Sequence, residues 1–100
     1  TSNVSGDAVS IFGKRTWWLV YCCEEAADAS TLEDALKWNA RIVRELNRRI
    51  RVVSHQDWPA AAKSRTILEL MQLRVNHNRS ILNIDHALQR EEDVDWKWWK

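Results

Sequence analysis

The sequence predicts an all-α protein built as one domain. Its 100 residues contain only two glycines and one proline, whereas an all-β protein needs such turn-forming residues at short intervals. The content of 45% hydrophobic and 29% charged residues is typical of a globular chain rather than a disordered one. We expect a short N-terminal helix packed on a long antiparallel helical hairpin. We also expect a dimeric helical bundle, because a lone hairpin buries little apolar surface.

The first helix is predicted over residues 14–29, after a flexible N-terminal segment of residues 1–13. The apolar residues at its start favour a strand by propensity, but Trp18, Cys22 and Glu25 also share one helical face. The EEAADA that follows favours helix. Helix is therefore our interpretation of this segment, and strand is the alternative.

The second helix is predicted over residues 31–55. Ser30 begins the motif STLE, a capping box with Glu33 at the third helical position, and no helix breaker follows before HQDWP. With Leu36 as position a of a heptad, apolar residues recur at a and d and predict the buried seam. The seam consists of Leu36, Asn39, Val43, Leu46, Ile50 and Val53, and Ala35 and Ile42 widen it on the g side.

The third helix is predicted to begin after a cap at Asp57 and to continue to about Glu92. Pro59 falls in its first turn, where proline is tolerated, and no glycine or proline follows. The short connection makes the second and third helices antiparallel neighbours. The helices thus form a single helical-bundle domain over residues 14–92, and a Trp-rich C-terminal tail over residues 93–100 follows it.

Positive charge is concentrated in the middle of the chain. Residues 37–90 hold eleven basic and four acidic residues, a net charge of +7, while the segments on either side are acidic. On the second helix, basic residues line positions b and f opposite the seam, with no acid among them. Such like-charge spacing weakens a helix unless an anion compensates, although a solvated polar back is an equally good explanation. This basic row consists of Lys37, Arg41, Arg44, Arg48 and Arg51.

A second polar face with few acids is predicted on the third helix, about 180° from its apolar stripe. Its side chains form hydrogen bonds of the kind that suit phosphates and ribose hydroxyls. If both polar faces point the same way, they form one surface for double-stranded or structured RNA, bound without reading its sequence. The predicted partner is therefore an RNA duplex. The third-helix residues predicted to bind it are Gln72, Asn76, Arg79, Asn83 and Arg90.

Seven tryptophans indicate an alternative function, a non-enzymatic protein-interaction adaptor. Tryptophan is prominent among the residues that anchor protein interfaces, and the basic row would then contact an acidic protein partner. The predicted interface residues are Trp38, Trp96, Trp98 and Trp99.

Several polar residues interrupt the apolar faces of the second and third helices. Our structural interpretation is that they bond to one another and determine register or oligomeric state. The alternative is a small bundle enzyme, in which Arg74 binds an anionic metabolite while Asp85 and His77 transfer protons. The polar residues in question are Asn39, Arg74, His77, Asn78 and Asp85.

No catalytic, metal-binding or cofactor-binding motif is visible, since HExxH, Walker and GxGxxG patterns are lacking. We therefore predict no catalytic residues, no metal and no cofactor, and a binding protein rather than an enzyme. The adjacent Cys22 and Cys23 are predicted to be free thiols in an intracellular, reducing compartment such as the cytoplasm. No apolar run approaches the roughly 18–20 residues that span a bilayer, and no signal peptide is visible, so no membrane partner is expected.

Overall fold

A computed structural model describes residues 11–90, and all of the regular structure in this range is helical. A 3-10 turn over Gly13–Trp17 leads into α1 (Trp18–Asp28), which is followed by α2 (Leu32–Ser54) and α3 (Ala60–Arg90). The prediction of an all-α chain whose three helices pack together is confirmed within this range. The strand alternative for the first segment is wrong.

The packed domain begins before the first predicted helix. Phe12 is buried, and the guanidinium of Arg49 lies over its ring at 4.4 Å from the centroid. Gly13 then turns the chain into the 3-10 segment with a φ of 56°, in the left-handed region that favours glycine. Phe12 and Gly13 therefore belong to the packed domain, whereas the sequence predicts a flexible segment over residues 1–13.

Thr31 is the N-cap of α2. Its Oγ1 accepts a hydrogen bond from the backbone N–H of Asp34 at 3.1 Å, which satisfies one of the free donors at the start of the helix. The predicted capping box had Ser30 and Glu33 in these two roles, so the observed cap lies one residue later. Acidic residues in the first turn and Arg51 in the last turn both suit the helix dipole.

Both neighbouring helices, α1 and α3, pack against α2. Ile42 and Leu46 pack with Cys22 and Ala26 of α1 in the hydrophobic core. The d positions of the predicted seam are buried, and so are Ala35 and Ile42 on its g side, whereas the a positions are only half-buried. The fully buried residues of this seam are Ala35, Asn39, Ile42, Leu46 and Val53.

Hydrogen bonds join α2 to α3 in reverse order along the two helices. Lys63 Nζ donates to the Ser54 carbonyl at 3.3 Å, Arg74 Nη1 donates to Asn47 Oδ1 at 2.9 Å, and His77 Nδ1 lies 2.8 Å from Asn39 Oδ1. The described part of the molecule is elongated along these helices and measures 50 × 22 × 20 Å.

One side of α3 is apolar and yet exposed. Leu68 and Leu82 are 64% and 60% exposed, and Met71 and Val75 between them are also exposed. Their spacing of three, four and seven residues places all four on one side of the helix. No helix within residues 11–90 has both the length and the apolar character needed to cross a bilayer.

Candidate functional site

The basic row of α2 meets the 3-10 turn at a surface cleft. The cleft has a volume of about 190 Å³ and lies between side chains from the turn, the start of α1 and the middle of α2. Three members of the basic row line it, together with one further arginine that precedes α1. We call this the arginine cleft; its lining residues are Arg15, Trp18, Arg41, Arg44, Glu45 and Arg48.

Glu45 organises the arginines of the cleft. Its side chain is only 1% exposed, and its Oε2 accepts hydrogen bonds from Arg48 Nη2 at 2.6 Å and from Arg49 Nε at 2.9 Å. Arg48 Nε donates to Oε1 at 3.1 Å, and Arg15 Nη1 lies 3.5 Å from the same oxygen. The fork of Arg48 is therefore held in one orientation by a bidentate contact.

The ionisation of Glu45 results from two opposing effects. Burial raises the pKa of its carboxyl, whereas the hydrogen bonds and charges of Arg48 and Arg49 lower it. The two arginines outweigh burial, and the pKa lies below its ordinary value. Glu45 is therefore a carboxylate at neutral pH and neutralises part of the surrounding positive charge.

Arg49 connects the 3-10 turn to α2. Besides its contact with Glu45, its Nη2 donates to the backbone carbonyls of Arg15 at 2.8 Å and Thr16 at 3.2 Å. Its guanidinium also lies over the ring of Phe12. Because Arg49 is buried and its donors bond to the turn, it positions Arg15 rather than binding a ligand itself.

The members of the basic row differ in their partners. Arg48 is bound to Glu45, Lys37 Nζ lies 3.7 Å from Asp34 Oδ1, and Arg41 lies over the ring of Trp38 at 4.5 Å from the centroid. The remaining two, Arg44 and Arg51, are exposed and form no ion pair within residues 11–90.

An aromatic chain adjoins the cleft. Trp18 stacks on Tyr21 with ring centroids 5.7 Å apart, and Tyr21 contacts Trp38 edge-on at 5.6 Å. Trp38 is partly buried and packs against the core between α1 and α2. The other tryptophans predicted at an interface, Trp96, Trp98 and Trp99, lie outside the described residues.

The polar residues of α3 do not line the arginine cleft. His77 faces α2, and Arg79, two residues later, lies about 200° further round the helix and so projects away from α2. Gln72 donates to Asn76 at 3.1 Å, a contact within α3 itself. The two polar faces therefore do not meet at the cleft. This applies to all of the α3 residues predicted to bind RNA, namely Gln72, Asn76, Arg79, Asn83 and Arg90.

Asn39 and His77 form a buried polar pair between α2 and α3. Asn39 Nδ2 donates to the carbonyl of Ala35 at 2.8 Å, so its Oδ1 faces His77 and accepts from an Nδ1–H of the imidazole. Burial lowers the pKa of His77 to about 4. The imidazole is therefore neutral at pH 7, and its contact with Asn39 joins α2 to α3 in the buried interface.

The other predicted core polar residues lie apart from this pair. Arg74 is half-buried and donates to Asn47, while Asn78 and Asp85 are exposed rather than buried. Asp85 accepts from Gln89 on its own helix at 3.3 Å. Our prediction of a shared position in the core does not hold for Asn78 and Asp85, because both project to the solvent side of α3.

The two cysteines lack the lowered pKa that activates a nucleophilic thiol. Both are free thiols; burial raises the pKa of Cys22 to about 11, and burial also raises the pKa of Cys23. Both are therefore protonated and weakly nucleophilic at neutral pH. Among the described residues, no three His, Cys, Asp or Glu side chains form a group able to hold a metal ion.

Sequence reasoning missed Arg15, Trp18, Glu45 and Arg49. The spacing of Glu45 from Arg48 and Arg49, three and four residues, is a helical ion-pair signal that was available. No comparable signal connects Arg15 to α2, because their contact depends on how the 3-10 turn folds back. No family model, curated protein or solved structure matches this chain, so the site is described from its own residues alone.

Proposed function

We propose that the protein binds double-stranded or structured RNA, without reading its sequence, through the basic row of α2 and Arg15. The observation that supports this best is the arginine cleft, where four guanidinium groups from two elements are accompanied by a single carboxylate, which is buried. An arginine that contacts a phosphate releases a counterion, so such a site gains affinity for any sequence.

The rest of the basic row extends the proposed surface beyond the cleft. Lys37 and Arg51 lie about 21 Å apart along the axis of α2, which is long enough to contact several phosphates along one side of a duplex. RNA duplexes are recognised mainly through their shape, phosphates and 2′-hydroxyls, and a helix laid across the shallow minor groove can make such contacts. The polar residues of α3 are not part of this proposal.

The test is a titration of a random-sequence RNA duplex at several salt concentrations. Arg44→Ala combined with Arg51→Ala removes two charges that form no ion pair within residues 11–90, so folding is little affected. We expect weaker binding to every sequence and a salt slope lower by about one to two. Arg79→Ala on α3 is the matched control and should bind like the unmodified protein. Undiminished binding of the double variant would remove the row from the mechanism.

The proposal includes a homodimer. The exposed apolar side of α3, from Leu68 to Leu82, is the surface we propose for contact with a second copy, because two such stripes would cover each other. Light scattering measures this directly. Leu68→Lys with Val75→Lys should convert a dimer to a monomer, and a monomeric unmodified protein would contradict this part of the proposal.

A second candidate function is a non-enzymatic adaptor for an acidic protein. Trp17 of the 3-10 turn is 76% exposed, and Val20 and Tyr21 of α1 are also exposed, so an apolar patch lies where the turn meets α1, close to the basic row. If the RNA duplex does not bind, binding of an acidic partner that is lost in Trp17→Ala would favour the adaptor.

The free thiols suit a reducing compartment, and we propose the cytoplasm. The enzyme alternative loses support, since Asp85 does not meet His77.

A further inference from the structure

We infer that the arginine cleft is the seat of a terminal phosphomonoester, the 5′-phosphate at the end of a nucleic-acid strand. This inference rests on the proposed function and adds a preference for the phosphorylated end of the RNA over the body of the duplex. Four properties of the cleft lead to it: its net charge, its preorganised arginines, its size and its aromatic wall.

The charge of the cleft suits a dianion. Four guanidinium groups and one carboxylate line it, which gives a net charge of +3. A phosphodiester within a strand carries one negative charge, whereas a phosphomonoester with a second pKa near 6 carries almost two at pH 7. The terminal group therefore compensates more of the positive charge that converges on one place than an internal phosphate does.

The arginines are also held in position before a ligand arrives. Glu45 engages Arg48 Nε and Nη2, so the remaining Nη1 of that guanidinium is available to another acceptor. Because Glu45 is only 1% exposed, the solvent side of the cleft is formed by guanidinium groups rather than by the carboxylate. Such preorganisation lowers the entropy lost on binding.

The size of the cleft restricts what enters it. A volume of about 190 Å³ is below the range of about 300–1,000 Å³ that is typical of sites for drug-sized ligands. A phosphate group therefore fits within the cleft, and the sugar and base attached to it would lie against its rim. A strand end satisfies this restriction, since only its last phosphate has to enter.

Trp18 gives the cleft an apolar wall, and its indole stacks on Tyr21. Aromatic side chains next to arginines are typical surfaces for the sugar and base of a nucleotide. Inorganic phosphate has no atoms to contact this wall. We therefore expect a nucleoside 5′-monophosphate to compete for the cleft more strongly than inorganic phosphate does.

The experiment compares two blunt RNA duplexes of one sequence, one with 5′-phosphates and one with 5′-hydroxyls. We expect the phosphorylated duplex to bind about tenfold more tightly, and we expect Arg44→Ala to abolish this ratio. Arg51→Ala is the matched control: it removes a charge of the same row outside the cleft, so it should weaken both duplexes and leave the ratio unchanged. Adenosine 5′-monophosphate should displace the phosphorylated duplex at lower concentration than inorganic phosphate.

The outcomes separate this inference from the proposed function. Equal binding of the two duplexes would overturn the inference and leave RNA binding intact, and so would a ratio that persists in Arg44→Ala. Failure of both duplexes to bind would overturn both. Vesicles that contain phosphatidic acid present the same phosphomonoester on a lipid; binding to them but to neither duplex would assign the cleft to a lipid headgroup and would also overturn both.

Discussion

The imidazole of His77 on α3 lies 2.8 Å from the side-chain oxygen of Asn39 on α2, in the buried interface between the two helices. The amide nitrogen of Asn39 is already bonded to the carbonyl of Ala35, so this oxygen can only accept, and Nδ1 of His77 carries the proton. A second proton would place a positive charge in the buried interface, and burial therefore lowers the pKa of His77 to about 4.

Protein stability should therefore fall as the pH drops from about 6.5 toward 4. In this window the unfolded chain binds a proton at His77 while the folded chain does not, so the free energy of unfolding decreases with falling pH. A difference between the ordinary pKa of 6.5 and about 4 corresponds to a loss of about 3 kcal/mol. Urea denaturation at a series of pH values measures it.

His77→Gln is the informative variant in this series, because an amide can donate to Asn39 but does not titrate. The pH dependence between 6.5 and 4.5 should disappear, whatever the stability of the variant at pH 7. His86→Gln, which changes an exposed histidine of the same helix, should retain it. Glu45 has a lowered pKa and contributes stability that is lost only at lower pH, as the pH falls through its folded pKa. A slope that survives in His77→Gln would show that another group titrates in this window.

Glu45→Gln should destabilise the protein by about 3 kcal/mol, because it leaves Arg49 buried next to a neutral amide. Glu69→Gln is the matched control, since it makes the same change of charge at an exposed position of α3, and it should change the stability by less than about 0.5 kcal/mol. Chemical denaturation compares the two. Similar effects of both variants would mean that the carboxylate does not hold the turn against α2.

The core between α1 and α2 makes a separate prediction about stability. Ile42 is fully buried against Cys22 and Leu46, so Ile42→Ala should cost about 3 kcal/mol through lost burial and the cavity that remains. Leu68→Ala, on the exposed side of α3, should cost less than about 0.5 kcal/mol in the monomer. The test compares the free energy of unfolding of the two variants at a concentration where light scattering shows monomer. A smaller loss for Ile42→Ala than for Leu68→Ala would contradict the packing described here.

The burial of α2 shows how far the sequence predicts this fold. Helix class, number and approximate bounds follow from the scarcity of glycine and proline and from apolar periodicity. The g side of the α2 seam, at Ala35 and Ile42, also follows from the sequence, but the lower burial of the a positions does not, because the predicted seam spans a, d and g positions alike. This difference depends on α1, whose contact buries Ile42 and leaves Val43 half-buried.

The candidate site is likewise predicted only in part by the sequence. The basic row is visible in the sequence because it repeats along one helix. The cleft is not visible, since Arg15 reaches Glu45 only through the 3-10 turn that Arg49 holds in place. The polar face of α3 is a regular polar row with few acids, like the basic row. Arg79 nevertheless projects away from α2, because the side of α3 that carries His77 packs on α2. Local patterns predict which side of a helix is polar but not which neighbour that side meets.

The start of α2 tests at a single residue how well a local motif predicts the structure. Ser30 and Thr31 both carry a hydroxyl suited to capping, but only Thr31 Oγ1 accepts the N–H of Asp34, at 3.1 Å. Thr31→Ala should therefore cost about 1 kcal/mol, because it leaves that donor without its capping acceptor. Ser30→Ala, the matched control, should cost less than about 0.5 kcal/mol. Thermal denaturation of the two variants ranks them, and a larger loss for Ser30→Ala would restore the capping box that the STLE motif predicts.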